Sequence, residues 1–240
     1  MNFKIKNIFR NVYILKKADG FIKFSLFDYN MPIRKLLLNK IENSASKYAH
    51  GKLIDLGCGI KPYKKVFLPY VTEYIGVEHP DINKLHYNAS DIELWEDCCK
   101  VSLGDGYADT IFSSQVLEHI EEPAKFINEA YRLLKNEGNI IVTVSFLEYL
   151  HQPPYDYYRF SHFALRKILS DAGFKNINIQ PIGNADTVIY WTNIYKLKTK
   201  TNLYRYLKSI EIYARNILYL MFPENDDVNC CVLYIITASK

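Results

Sequence analysis

The sequence has no apolar run near the roughly 18 uninterrupted residues that a membrane-crossing helix requires, so no transmembrane segment is expected. Its five cysteines are odd in number, and four are immediate neighbours, Cys98–Cys99 and Cys230–Cys231. Zinc-binding pairs need a short spacer and a disulfide framework needs an even, spread set. Neither is expected, and the cysteines fit buried thiols of a reducing cytosol. There is no His-x-x-x-His pair, no Cys-x-x-Cys pair and no calcium loop, so the motifs give no metal site. The opening stretch MNFKIKNIFRNVYILKK lacks the continuous apolar region and small-residue cleavage site of a signal peptide. A cytoplasmic protein is expected. Hydrophobic residues at 49% and charged residues at 23% fit a folded chain and argue against disorder as its main state.

Charge is unevenly spread. The net value is +4, yet residues 1–24 carry six basic side chains against Asp19, and residues 191–222 carry six against Glu211. Two basic segments on an otherwise acidic chain suit an anionic partner, either a membrane surface touched peripherally or an anionic substrate; a merely solvated face is the alternative. Basic residues and tyrosines interleave over 191–219, but no nucleic-acid-binding motif accompanies them, so nucleic acid is not the expected partner.

From residue 51 the chain alternates strand-like and helix-like segments, the pattern of a sheet covered by helices. KLIDLG, EYIGVEH, ADTIFSSQV, NIIVTVSF, KNINIQPI and CCVLYIITAS read as strands, with a short one near LHYNASDI. Phe126, Ile127, Ala130, Leu133 and Leu134 mark a helix between Pro123 and Gly138, and Ser161 and Gly173 bracket another. Four regions follow: an N-terminal helical and basic segment (1–50), a core (51–183), a helical insertion (184–228) and a last core strand (229–240). Within the insertion, Leu203, Leu207, Ile210, Ala214, Ile217 and Met221 form a helical seam. A lid on the protein's own body, a homodimer contact and a membrane face remain open for it.

The chemistry begins at LIDLGCGIKPY (53–63). In an open α/β sheet, ligands bind beyond the carboxyl ends of the strands. Gly57 permits a sharp turn there and Gly59 lets a ligand touch the backbone. Nineteen residues after Gly59, Glu78 ends the next strand, where a carboxylate can accept both hydroxyls of a ribose. A dinucleotide fits poorly, because the third glycine of G-x-G-x-x-G would fall at Pro62, which has no N–H for a pyrophosphate. A ribose-bearing cofactor without phosphates fits better.

These motifs, in this order, resemble the class I S-adenosyl-L-methionine-dependent methyltransferases over residues 50–182 and the last strand. The resemblance implies a Rossmann-like sheet, mostly parallel with its last strand antiparallel, flanked by helices, and S-adenosyl-L-methionine as cofactor. It places Asp55 near the cofactor's methionyl amino group, with Gly57, Cys58 and Gly59 lining the loop. It further gives Glu78 to the ribose, Asp91 and Ile92 to the adenine, and Gln115 of SSQVLEHIEEP to the methionine moiety. Many members carry a third glycine where this chain has Lys61.

A hydroxyl acceptor has to lose a proton, and histidine is suited to taking one. His119 follows the fourth strand and His151 the fifth, so both should approach the transferred methyl, with His151 the first choice; a hydrogen-bonded structural histidine is the alternative for each. The loop EYLHQPPYDYYRF (148–160) offers Tyr155 and Tyr158 as flat sugar-binding faces and Arg159 for an anionic group. PPYDYYRFS resembles a loop in methyltransferases of bacterial surface-polysaccharide and glycolipid assembly, which implies a sugar or glycan-type hydroxyl as acceptor. A quinone, lipid or other small-molecule acceptor is the alternative, and a cofactor-binding scaffold without catalysis is a third.

Overall fold

The computed structural model describes residues 31–81, 92–197, 210–211, 214 and 225–240. Asp91, the basic residues 1–24, and most of the strand expected near 85–92 and of the seam at 203–221 lie outside them.

The first described element is helix α1 (Met31–Tyr48), in which Ile33, Leu37, Ile41 and Ala45 recur every four residues and are buried as one stripe. Strand β1 (Lys52–Leu56), a short helix α2 (Lys64–Phe67), β2 (Glu73–Glu78) and the two-residue β3 (Leu94–Trp95) follow. Next come β4 (Ala108–Ser114), a 3₁₀ turn (Leu117–His119), α3 (Pro123–Leu133) and β5 (Leu134–Ser145). The chain ends with α4 (His162–Asp171), β6 (Lys175–Ile182), α5 (Ala185–Leu197) and β7 (Leu233–Ser239).

The seven strands form one sheet in the order β3-β2-β1-β4-β5-β7-β6. The pairs among β3, β2, β1, β4 and β5 are parallel, whereas β7 runs antiparallel to both β5 and β6. Parallel strands covered on both faces are apolar throughout, and Leu53, Ile54 and Leu56 are fully buried accordingly. Successive residues point to opposite faces. Ile111 and Ile140 pack toward α3 and α4, while their neighbours Phe112 and Ile141 pack toward α1 and α5. The sheet is thus the expected Rossmann-like one.

Two boundaries differ from the sequence pattern. β5 begins at Leu134, five residues early, because Leu134 leaves α3 with extended backbone and pairs with Ala108 before a bulge. β3 lies at 94–95 because two residues of ladder with Val77 and Glu78 define it, too few to leave a periodic signature. In the segment expected as an insertion, α5 packs Tyr190 and Trp191 into the core beside α1. Near the end of that segment, Asp226 accepts from the Gly183 N–H at 2.8 Å and pairs with Lys40 at 2.8 Å, tying the returning chain to α1 and the end of β6.

Because β1, β2, β4 and β5 run parallel, their carboxyl ends share one edge of the sheet. Glu78 ends β2 at this edge, and the loops bearing Gly57, Gln115, His119 and His151 leave from it.

Candidate active site

The loop after β1 is pinned from beneath. The N–H groups of Gly57 and Cys58 both donate to the Val77 carbonyl, at 2.9 and 3.1 Å. Gly57 adopts φ +75°, and a Cβ there would lie 2.4 Å from Val116 Cγ2, so no side chain fits. Gly59 also has positive φ (+52°), but a Cβ on it would meet nothing within 4 Å. Open space therefore lies over the loop where a cofactor would touch the backbone.

Glu78 closes this cradle from β2. Its Oε2 accepts from the Gly59 N–H at 2.6 Å and its Oε1 from the His79 N–H at 2.9 Å. Each carboxylate oxygen keeps a second acceptor site for a ribose hydroxyl. Cys58 is buried, and Ile92 is half-buried two residues before β3. The loop, the space over it and the carboxylate fit S-adenosyl-L-methionine. When bound, that cofactor supplies a methyl group already activated by a sulfonium charge.

Asp55 sits deeper, only 2% exposed, and accepts from the Tyr74 hydroxyl at 2.5 Å. Burial first, and the nearby Glu78 charge next among the raising causes, push its carboxyl up to about 7, against the pull of the Tyr74 bond and of Lys61. The Tyr74 partner was not foreseen, since a tyrosine opening a strand reads as ordinary core.

Lys61 takes the place of a third glycine in the backbone as well as in the sequence. Its φ is +53°, a left-handed value unusual for a side-chain-bearing residue. The side chain is only 3% exposed, and its ammonium meets Glu93 at 2.5 Å, whose Oε2 also accepts from the Gly76 N–H at 2.6 Å. Burial raises the Glu93 carboxyl, but these two donors outweigh it and hold it below its usual range. The lysine stem passes through the gap left by Gly76, where a Cβ would stand 2.3 Å from Lys61 Cε and 2.7 Å from Cys58 Sγ. Overpacking of this kind costs about 1–3 kcal/mol. Gly76→Ala should therefore lower the melting temperature by several degrees in a calorimetric scan. An unshifted melt would show that the lysine has room to move.

Just after β4 comes Gln115, whose φ of +58° turns the chain into the 3₁₀ turn. Its N–H donates to the Thr143 carbonyl at 3.0 Å. In the orientation that satisfies its amide, Nε2 donates to Glu118 Oε1 at 3.2 Å and Ser145 Oγ at 3.0 Å, and Oε1 accepts from the Val144 N–H at 3.2 Å. Gln115 thus turns its amide toward β5 and Glu118.

Glu118 was legible only as part of a motif. It is fully buried, and its other oxygen, Oε2, has no hydrogen-bond partner. Burial raises its carboxyl. Ser145 Oγ lies 2.8 Å from Glu118 Oε1 and 2.6 Å from Glu148 Oε2. One hydroxyl hydrogen cannot serve both carboxylates at once, so Ser145 leaves one of them short of a donor.

His119 and His151 converge as their strands require. Their rings meet edge to face, with centroids 4.8 Å apart. His119 Nδ1 lies 2.9 Å from the Tyr155 carbonyl, and a carbonyl only accepts, so Nδ1 carries the hydrogen. In the neutral ring Nε2 then bears the lone pair, and it is buried and without a hydrogen-bond partner.

The 148–160 loop closes over this pair. The N–H groups of Tyr157 and Tyr158 both donate to the Glu118 carbonyl, at 3.0 and 3.2 Å, and the Tyr158 hydroxyl donates to the Glu121 carbonyl at 2.9 Å. Tyr155 is 63% exposed at the rim, and Tyr158 stacks on Phe160. Arg159 departs from its expected role. Its Nε donates to the Glu148 carbonyl, Nη1 to Asp156 Oδ1 and the Tyr158 carbonyl, and Nη2 to Asp156 Oδ2 and the Tyr149 carbonyl. A guanidinium has five N–H groups, and all five are used inside the loop. Arg159 shapes the loop and has no donor left for an anionic substrate. It also holds the Asp156 carboxyl down to about 2, which makes Asp156 a poor proton acceptor.

All five cysteines are free, and burial raises the thiols of Cys58, Cys98, Cys99 and Cys231. Among the described residues no helix is long and apolar enough to cross a membrane.

Residues 54–142, which hold the cofactor loop, Glu78 and both members of the Glu118–His119 pair, match a family described as "Methyltransferase domain". An uncharacterized protein of Methanocaldococcus jannaschii is 28% identical over 110 residues, which are 45% of this chain and 45% of that protein. The match thus spans under half of that relative's length. Among solved structures, an S-adenosylmethionine-dependent methyltransferase from Archaeoglobus fulgidus superposes with a TM-score of 0.57 at 18% identity, covering 86% of this chain and 94% of its own. The [4+2]-cyclase SpnF gives 0.57 at 18%, covering 93% and 85%. Phosphoethanolamine N-methyltransferase 2 of Haemonchus contortus, solved with S-adenosyl-L-methionine, gives 0.50 at 13%, covering 99% and 73%. At such identities the likeness is one of fold, and a cyclase on the same fold shows that the acceptor chemistry does not follow from it. Residues 54–142 thus match a methyltransferase-domain family on a class I methyltransferase fold, which together indicate an enzyme with S-adenosyl-L-methionine as its cofactor.

Proposed function

We propose that the protein transfers a methyl group from S-adenosyl-L-methionine to a hydroxyl of a sugar or glycan-type precursor. The supporting observation is the His119–His151 pair. Two imidazoles meet at the carboxyl ends of β4 and β5, beneath a tyrosine-rich rim and across the sheet edge from the cofactor loop. An amine acceptor reaches the methyl group with a lone pair of its own once unprotonated, whereas a hydroxyl gains most from a group that handles its proton. Tyr155, whose backbone carbonyl holds His119, exposes its ring, and such a ring suits the flat, half-apolar face of a sugar. Asp55 is proposed to face the cofactor's amino group, Glu78 its ribose, and Asp91 with Ile92 its adenine.

The discriminating experiment offers the full chain S-adenosyl-L-methionine with sugar-hydroxyl, quinone and amine acceptors and measures release of S-adenosylhomocysteine. Turnover with a glycan-type hydroxyl supports the proposal. Turnover only with a quinone or an amine replaces the acceptor class. Cofactor binding without turnover on any acceptor makes the protein a scaffold.

The ribose assignment has its own test. Glu78→Ala should weaken cofactor binding by about 10–100-fold, since a charge-assisted hydrogen bond is worth about 1.5–3 kcal/mol. Because Glu78 also caps the Gly59 N–H, Glu78→Gln serves as the second variant: it keeps an acceptor for that N–H and removes the charge. Unchanged affinity in both variants, measured by calorimetry, would remove Glu78 from the ribose site.

A further inference from the structure

We propose that Glu118, His119 and His151 form a binding site for a divalent first-row metal ion, with Zn²⁺ the best match to the donors. One carboxylate oxygen and one nitrogen from each ring lie within 4.8 Å of one another. Two of the three residues bring an orphan to this spot: Glu118 Oε2 and His119 Nε2 are buried and unpartnered. A fully buried carboxylate oxygen and a buried imidazole lone pair are both acceptors. Neither can satisfy the other, and a cation satisfies both at once.

The outer contacts are those of metal-ligating histidines, which usually hand their second ring nitrogen to a carbonyl or carboxylate. His119 Nδ1 is held by the Tyr155 carbonyl at 2.9 Å. His151 Nδ1 lies 3.3 Å from the Tyr149 carbonyl, 3.6 Å from Asp156 Oδ2 and 3.3 Å from Arg159 Nη2. In each ring it is Nδ1 that is engaged, which leaves Nε2 for the site. Glu118 is fixed as firmly: Gln115 and Ser145 hold Oε1, and its carbonyl takes the two tyrosine N–H groups of the loop. Oε2 remains for an ion.

Two imidazoles and one carboxylate are a donor set for zinc or a neighbouring transition metal, whereas magnesium and calcium prefer oxygen throughout. Ligand atoms about 2 Å from an ion lie roughly 3–3.5 Å apart, so the site closes by about an ångström on binding. Three protein ligands leave a position open, as catalytic zinc sites do. An acceptor hydroxyl bound there would lose its proton to water more readily, its oxygen staying on the ion. Sequence motifs missed this site because its ligands come from two loops 32 residues apart, with no helical His-x-x-x-His between them.

This inference rests on the methyl-transfer reading for its purpose but not for its test. The full chain, stripped with a chelator and returned to buffer, is titrated with Zn²⁺ and, separately, with Mg²⁺ in a calorimeter. One equivalent of Zn²⁺ should bind, with no comparable heat from Mg²⁺. His151→Ala, on the loop, should weaken Zn²⁺ at least tenfold, as should His119→Ala. Co²⁺ should give the visible absorption of a low-coordinate nitrogen–oxygen site in the wild type and lose it in both variants. Absent Zn²⁺ binding, or binding unaltered in both folded variants, overturns the ion. Affinity for S-adenosyl-L-methionine, measured on the same stripped protein, keeps the outcomes apart. A chain that binds cofactor but no Zn²⁺ retains methyl transfer and loses the ion. One that binds Zn²⁺ at these residues but no cofactor does the reverse.

Discussion

Glutamine in place of His151 or His119 should lower kcat by about 10²–10⁴-fold and leave cofactor affinity nearly unchanged, the range expected if, as proposed, the pair handles the acceptor's proton. Both rings follow β4 and β5, while the cofactor loop is built from β1 and β2, so the two proposed functions separate in space as well as in kinetics. Glutamine keeps the polarity and much of the length of the side chain. What it removes is the imidazole lone pair, whose partner is a proton or an ion. His151 is the first substitution to make, because it belongs to the loop proposed as the acceptor rim and its side chain is 21% exposed. His119 is locked under that loop by the Tyr155 carbonyl. A fall in cofactor affinity as large as the fall in kcat would mean that the loop had collapsed into the cofactor cradle. Near wild-type turnover in both variants would move the proton elsewhere. Asp156 is a weak successor, since Arg159 holds it ionised by two hydrogen bonds.

The histidine pair was legible because strand order places the loops after β4 and β5 side by side. The cofactor loop was legible for a similar reason: buried parallel strands read as apolar runs, and a glycine or an acid at their ends has few structural uses. Other features needed three dimensions. Nothing in DYYRF shows that Arg159 has all five donors consumed by its own loop. Glu118 looks like a surface acid beside a histidine, and only the 3₁₀ turn reveals that it points inward to Ser145. Lys61 reads as a departure from a glycine position. Its backbone nevertheless adopts the glycine-like conformation, and its side chain leaves by the space that Gly76 vacates on the neighbouring strand.

Asp55→Asn should stabilise the cofactor-free protein at pH 8 by on the order of 4 kcal/mol, roughly 10 °C in melting temperature, and weaken cofactor binding in the same stroke. The carboxyl is raised from 3.8 to about 7 in the fold, chiefly by burial. The folded state therefore holds this proton more tightly than the unfolded chain does. Its stabilising contribution is complete below pH ~4, falls as pH rises to ~7 and stays lost above it. Asparagine carries no charge to desolvate, and its carbonyl can still accept from the Tyr74 hydroxyl. The gap in melting temperature between variant and wild type should thus be small at pH 4, widen to pH 7 and then level off. A gap constant across that range would mean that Asp55 does not titrate there. The cost that the wild type bears is useful if, as proposed, the cofactor's amino group comes to rest beside Asp55. A cation there favours the ionised carboxylate, so binding in the wild type should release a proton below pH 7, and Asp55→Asn should abolish that release. Calorimetry in buffers of different ionisation enthalpy measures it directly. Wild-type binding with no proton exchange below pH 7 would place the amino group away from Asp55 while leaving the stability prediction intact.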